Sequence, residues 1–125
     1  MKKLLNRLAI CAVLFFCTCT TIEVNNDPVI GIWLNEPKTK TTQTKNQTTL
    51  EEWIFNDAYL GRYHRYSFSN ITISTDFKWI KTDSIYHVSY PGTDFPKQQL
   101  LMQETDKSML LKDLNNTIIA IKNPK

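Results

Sequence analysis

The stretch Phe77-Lys78-Trp79-Ile80-Lys81-Thr82-Asp83-Ser84-Ile85-Tyr86-His87-Val88-Ser89-Tyr90 decides the fold. Phe77, Trp79 and Lys81 alternate with Lys78 and Ile80, and past Thr82-Asp83-Ser84 the residues Ile85, His87 and Ser89 alternate with Tyr86, Val88 and Tyr90. A period of two sends successive side chains to opposite faces of an extended strand. The short polar break holds the Asp and Ser that favour turns. The β-branched and aromatic residues on either side suit a pleated, half-covered surface. This stretch therefore reads as strand, turn, strand.

The same pattern extends in both directions. Upstream, Arg62–Ser69 sets Arg62, His64, Tyr66 and Phe68 against Tyr63, Arg65, Ser67 and Ser69. Asn70–Ser74 continues extended through Ile71 and Ile73 to a turn expected at Thr75-Asp76. Leu50–Phe55 places Glu51, Trp53 and Phe55 opposite Leu50, Glu52 and Ile54, with Asn56-Asp57 and Gly61 bracketing the turn that follows. Val29–Leu34 forms the first strand, and Glu36–Thr48, rich in Thr and Lys, reads as a long exposed loop. Downstream, Pro91-Gly92-Thr93-Asp94 is a turn, and strands over Lys97–Glu104, Met109–Lys112 and Thr117–Lys122 are divided by Thr105-Asp106-Lys107 and Asp113–Asn116. The one helical candidate past the N-terminus, Gln98–Leu111, lacks a stripe at 3.6-residue spacing. Eight or nine short strands with local connections predict an all-β chain. An eight-stranded up-and-down (meander) barrel is favoured because closure removes exposed edges, and a β-sandwich is the alternative.

The N-terminus carries a different signal. Lys2, Lys3 and Arg7 precede an apolar run from Leu8 to Phe16, and Cys17-Thr18-Cys19-Thr20 follows. A charged start, an apolar core and a small-residue exit are the layout of a secretory signal peptide. The apolar run to Cys19 is twelve residues, against the roughly 20 a spanning helix needs. A cysteine at the exit resembles the bacterial lipoprotein signal, in which that cysteine becomes the lipidated first residue. Cys19 is preferred as the lipid attachment because Thr18 before it is small; Cys17, after the bulky Phe16, is the alternative. The expected organisation is a signal over 1–18, a tether over 19–28 and one barrel domain over 29–125.

Removing the signal leaves twelve basic and twelve acidic residues, so the precursor's formal charge of +3 falls to about zero. The basic balance reports targeting, and no clustered Arg/Lys face interleaved with aromatics points to nucleic acid. The cysteines all lie at or before position 19, so an internal disulfide is excluded from the domain. The domain must be held by burial alone. The expected location is the bacterial cell envelope: a membrane-anchored lipoprotein, periplasm-facing, and a monomer.

Gly31-Ile32-Trp33 has the Gly-x-Trp spacing of the first lipocalin strand, and it lies near the start of the mature chain as in that family. From Val29 to Lys122 the chain resembles the small lipocalin-like domains of bacterial lipoproteins. The resemblance implies a barrel plugged at one end by Trp33, with Gly31 permitting close backbone approach and a basic side chain of the last strand, here Lys122, packed across the indole. The family's commoner residue at that last position is arginine. The resemblance also implies a small hydrophobic ligand or lipid as cargo.

Little in the chain points to catalysis. His64 and His87 have no HxH or CxxC companions, and metal sites need three or four convergent ligands. Glu51 and Glu52 are adjacent, so on a strand they face apart. No serine sits in a G-x-S-x-G elbow. The chain is therefore expected to have no enzymatic activity, no cofactor and no metal. Asn46-Gln47-Thr48, Asn70-Ile71-Thr72 and Asn115-Asn116-Thr117 match the N-glycosylation pattern, and Asp83-Ser84-Ile85 resembles a bacterial O-glycosylation site. The aromatic residues Trp33, Trp53, Tyr66, Phe68 and Trp79 are candidates to line a ligand cup or to pack a core. Two functions are carried forward: an anchored binding protein for a small hydrophobic molecule, and an envelope interaction protein whose barrel is filled.

Overall fold

The computed structural model describes residues 23–35 and 49–124. The signal segment, Cys17, Cys19 and the whole Glu36–Thr48 loop lie outside the described residues. Eight strands follow in chain order: β1 (Gly31–Asn35), β2 (Thr49–Phe55), β3 (Leu60–Ser67), β4 (Asn70–Thr82), β5 (Ile85–Ser89), β6 (Gln98–Glu104), β7 (Met109–Asp113) and β8 (Ile118–Lys122). Each pairs antiparallel with its neighbour in sequence, and β8 returns to β1 through Trp33 opposite Lys122 and Leu34 opposite Ile121. The molecule is a closed up-and-down barrel, as the spacing of short alternating segments predicts.

The turns follow from residue chemistry. Phe68 and Ser69, between β3 and β4, both have positive φ, 49° and 68°, the arrangement of a tight two-residue hairpin turn. Asp83, which opens the next turn, sits at φ 57°. Asp113 caps its own reversal by accepting from the main-chain N–H groups of Asn115 and Thr117.

Two expected breaks are absent. Thr75-Asp76 does not turn; β4 runs unbroken for 13 residues, with Asp76 opposite Arg62 and the two side chains ion-paired at 3.0 Å. A Thr-Asp pair resembles a turn, but here β3 supplies a strand partner to both residues, Tyr63 to Thr75 and Arg62 to Asp76. Gly61 is not part of a turn either. It lies in β3 opposite Phe55 and Phe77, and it is buried because the Phe77 ring fills the space where its side chain would be.

The inward face is Trp33, Trp53, Phe55, Tyr63, Phe77, Trp79, Tyr86, Val88, Tyr90, Leu100, Leu111 and Ala120, all buried. The rings meet edge to face: Phe55 with Phe77 at 4.9 Å and with Trp79 at 5.8 Å between centroids, a preferred aromatic geometry. Burying such rings drives the fold, at roughly 2–3 kcal/mol for each fully buried large apolar side chain.

One end of the barrel is sealed by the N-terminal segment. Val29 is fully buried, and its carbonyl accepts from the Trp33 indole N–H at 2.7 Å. Asp27 accepts from the Tyr86 hydroxyl at 2.6 Å and caps the Val29 N–H at 2.9 Å. The Lys122 ammonium donates to the Pro28 carbonyl at 2.5 Å and lies 5.6 Å from the centre of the Trp33 ring. Gly31 has φ 136°, a conformation that favours glycine, and a Cβ there would meet the Lys122 side chain at 3.0 Å. Asp27 and Pro28, read from sequence as tether, are thus built into the closed end.

A self-satisfied polar cluster at the barrel mouth

The opposite end is ringed by the β3–β4 turn, the 90–97 connection and the β7–β8 turn. Here the inward face changes from apolar to mixed. On β2, two residues before Trp53, alternation turns Glu51 inward; on β3 the same rule turns Tyr63 and Arg65 inward. Register sets Glu51 directly opposite Arg65 and Trp53 directly opposite Tyr63. Tyr90 enters from the end of β5 and Gln98 from the start of β6.

These groups form two hydrogen-bonded sets that meet through their rings, Tyr63 lying 5.2 Å from Trp53 and 6.0 Å from Tyr90 between centroids. Glu51 Oε1 accepts from the Tyr63 hydroxyl at 2.6 Å and from Arg65 Nη2 at 3.3 Å, and Glu51 Oε2 accepts from Asn35 Nδ2 at 3.2 Å. Arg65 Nε donates to the Tyr63 hydroxyl at 3.2 Å. The Trp53 indole N–H donates to the Tyr90 hydroxyl at 3.0 Å, which donates to Gln98 Oε1 at 2.6 Å. The Phe95 ring closes the cluster, 5.9 Å from Tyr63 and 5.5 Å from Tyr90.

The electrostatics follow from this packing. Burial raises the Tyr63 hydroxyl well above the usual phenol value, and the Glu51 carboxylate it donates to raises it further. Burial pushes Tyr90 up to about 12, against the opposing effect of the Trp53 N–H. Burial disfavours the Arg65 charge, but the Tyr63 hydroxyl and Glu51 carboxylate outweigh it and hold Arg65 more firmly protonated.

Between these side chains and Pro96 is a hollow of about 190 Å³. Small-molecule pockets usually occupy about 300–1,000 Å³. Among the described residues, no buried side-chain nitrogen or oxygen lacks a hydrogen-bond partner. The buried polar atoms of the cluster are thus satisfied within the protein, while the Arg65 side chain remains 40% exposed. A larger hollow of about 600 Å³ lies outside, as an open groove on the outer wall beside Lys78, Ile80, His87 and Gln99. No group of three or more His, Cys, Asp or Glu among the described residues could hold a metal ion.

The sequence-derived candidates fall in different places. Trp33 is fully buried at the closed end, where Gly31 and Lys122 flank it. Trp79 lies toward the same end, its indole N–H shared between the carbonyls of Asn56 and Leu60 at 3.2 Å each. Trp53 borders the mouth hollow. Tyr66 and Phe68, expected as lining, are outside the barrel. Tyr66 donates to the outward-facing Glu52 at 3.1 Å beside His64, and Phe68 occupies the β3–β4 turn with 56% exposure. The inward face of β3 is the Gly61, Tyr63, Arg65 face, because Gly61 must admit the Phe77 ring. The network members Glu51, Tyr63, Arg65, Tyr90 and Gln98 were not singled out from the sequence. Their signal was a charge of each sign on adjacent strands, each two residues along the strand from a core aromatic.

No protein-family model, curated protein or solved structure matches this chain.

Proposed function

We propose that this chain is a cell-envelope lipoprotein, anchored through Cys19 (or Cys17), whose lipocalin-like barrel is filled and which acts through contacts of its surface with other macromolecules. The filled interior carries this reading. Aromatic rings occupy the barrel from the closed end to the mouth, and the remaining hollow is smaller than usual ligand pockets. Among the described residues an acyl chain has no continuous apolar channel to enter, because the Glu51–Tyr63–Arg65 cluster lies across the mouth. The anchor and the periplasm-facing location rest on the charged, apolar, cysteine-ended leader of the sequence.

A second reading, a binding protein for a small ligand, is favoured by one observation: the mouth hollow is walled by aromatic rings and carries both a carboxylate and a guanidinium. The two readings separate in a titration of the protein's tryptophan fluorescence with fatty acids and small aromatic acids. Trp53 borders the hollow, so its emission would report an occupant. The filled-barrel reading expects no saturable change; a saturable shift abolished by Tyr90→Ala would replace it with the ligand reading. The anchor is tested separately, by mass spectrometry of membrane-extracted protein. Cys19→Ala is expected to remove the acyl mass, and persistence of that mass would transfer the anchor to Cys17.

A further inference from the structure

β4 is 13 residues long and its neighbour β5 only 5. β5 covers Lys78 to Thr82 and no further, so Asn70–Phe77 is paired on one side alone, by β3. The alternation of an antiparallel ladder fixes which groups face the uncovered side. The two-residue turn at Asp83-Ser84 makes Thr82 and Ile85 a bonded pair, so Ile80 and Lys78 also bond across to β5. The same parity turns the main-chain N–H and C=O of Ser74 and Asp76 toward the open edge. Consistently, the odd-numbered Trp79 bonds on the other side, its N–H donating to the Tyr59 carbonyl at 3.0 Å. Among the described residues no main-chain partner reaches Ser74 or Asp76 on the open edge.

This edge lacks most of the usual protection. Natural edge strands are blunted by lysine, proline, shortness or bulges. Asn70-Ile71-Thr72-Ile73-Ser74-Thr75 has no charge and no proline, and four of its six residues are β-branched. Its one protective feature is the register shift where β4 passes Arg65 and Tyr66. At the tip of the hairpin, Phe68 and Ile71 are 56% and 54% exposed.

We infer that the open edge of β4 pairs antiparallel with the β4 edge of a second copy of this chain, about a two-fold axis at Ser74. Two-fold pairing needs a self-complementary edge, and this one meets the requirement. Centred on Ser74, it sets Ile73 opposite the partner's Thr75 and Thr72 opposite the partner's Asp76. Cross-strand β-branched pairs of this kind are favourable. No like charges face each other: the two Asp76 carboxylates fall about 14 Å apart along the strands, and each is already paired with its own Arg62. The pairing stops at Lys78, where β5 begins. The overlap is short, so the association is expected to be weak. It is independent of what the barrel contains, so its failure would leave the filled-barrel reading standing.

Thiol cross-linking in the full-length chain tests this. Residues facing each other in a bonded antiparallel pair have Cα atoms about 5.5 Å apart. Ser74→Cys, treated in fresh lysate with a short bis-maleimide that needs no oxidising compartment, is expected to give a dimer at least five-fold above two controls. One control is wild type, for its own cysteines; the other is Arg62→Cys, equally exposed but off the axis. The register is checked with co-expressed Thr72→Cys and Asp76→Cys chains, which are expected to cross-link to each other more than either does to itself. This second pair also serves if Ser74→Cys fails to accumulate. Dimer no more abundant than in the controls, or an adduct with a different protein in place of the dimer, would overturn the proposal.

Discussion

If the barrel is filled, Gly61→Ala should be severely destabilising. A Cβ at position 61 would overlap the Phe77 ring and stand 2.5 Å from the Ile54 carbonyl oxygen. Neither neighbour can yield cheaply. Phe77 is fully buried, with Phe55 at 4.9 Å and Tyr90 at 5.9 Å between centroids, and Ile54 lies in the β2–β3 ladder opposite Arg62. Overpacking a well-filled core costs about 1–3 kcal/mol and sometimes more. With both a ring and a backbone atom obstructed, we expect about 3 kcal/mol or more, a large part of a typical total of about 5–15 kcal/mol. For a domain of this size that lowers Tm by about 12–24 °C, read by thermal and urea unfolding followed by circular dichroism and tryptophan emission. Phe77→Leu removes part of the obstruction at its own cost of about 2 kcal/mol. The double variant should therefore be more stable than the sum of the two singles by about 1 kcal/mol or more, the coupling expected of residues in contact. Gly61→Ala within about 0.5 kcal/mol of wild type would mean that Phe77 has empty space to move into. The filled-barrel argument would then fail with it.

Three further outcomes are expected. Tyr63, Tyr86 and Tyr90 all have raised hydroxyl pKa values, so their contribution is intact below the unfolded phenol value near 10. It is lost as pH rises through the higher folded values: stability should fall above about pH 10, with Tyr90 alone contributing about 2 kcal/mol of the loss by pH 12; a flat urea midpoint between pH 9 and 11.5 would contradict this. Tyr90→Phe strands the Trp53 N–H and Gln98 Oε1 at the mouth and should cost about 1–3 kcal/mol, measured by urea unfolding; a cost under 0.5 kcal/mol would mean the network does not hold in solution. Lys122→Met removes the ammonium from the Pro28 carbonyl and the Trp33 ring, for about 1 kcal/mol, whereas Lys122→Arg should retain most of the stability; equal losses in both would deny the lysine that role.

The strand plan was legible because it depends on local alternation, and the spans from Leu50 to Phe55 and from Ile85 to Ser89 recur in the fold nearly residue for residue. Alternation gives two faces but not which of them is inside. On β3 both faces carry aromatics, Tyr63 on one and Tyr66 on the other, and the choice is made by the Phe77 ring on the neighbouring strand, which only glycine at position 61 can accommodate. That constraint is non-local and left Gly61 resembling a turn residue. The inward Arg65 was obscured for a related reason. A guanidinium facing a core looks unfavourable until Glu51 is placed opposite it by a register that only the assembled sheet fixes. At the closed end the sequence carried more, because Gly31, Trp33 and Lys122 meet where β1 and β8 close the circle.

The strap of residues ahead of β1 also has a consequence for orientation. Asp27 is fastened against Tyr86, and with the lipid at Cys19, as proposed, only seven residues lie between the acylated position and that fastening, eight Cα–Cα steps in all. Even fully stretched they reach about 28 Å. The sealed pole would then ride against the bilayer, with the Arg65 cluster and the β3–β4 hairpin facing outboard. Two such molecules moored upright in one leaflet share a single up-direction, whereas antiparallel pairing of two β4 edges reverses one barrel against the other, so partners on one membrane would have to tip onto their sides, within the play of that short leash.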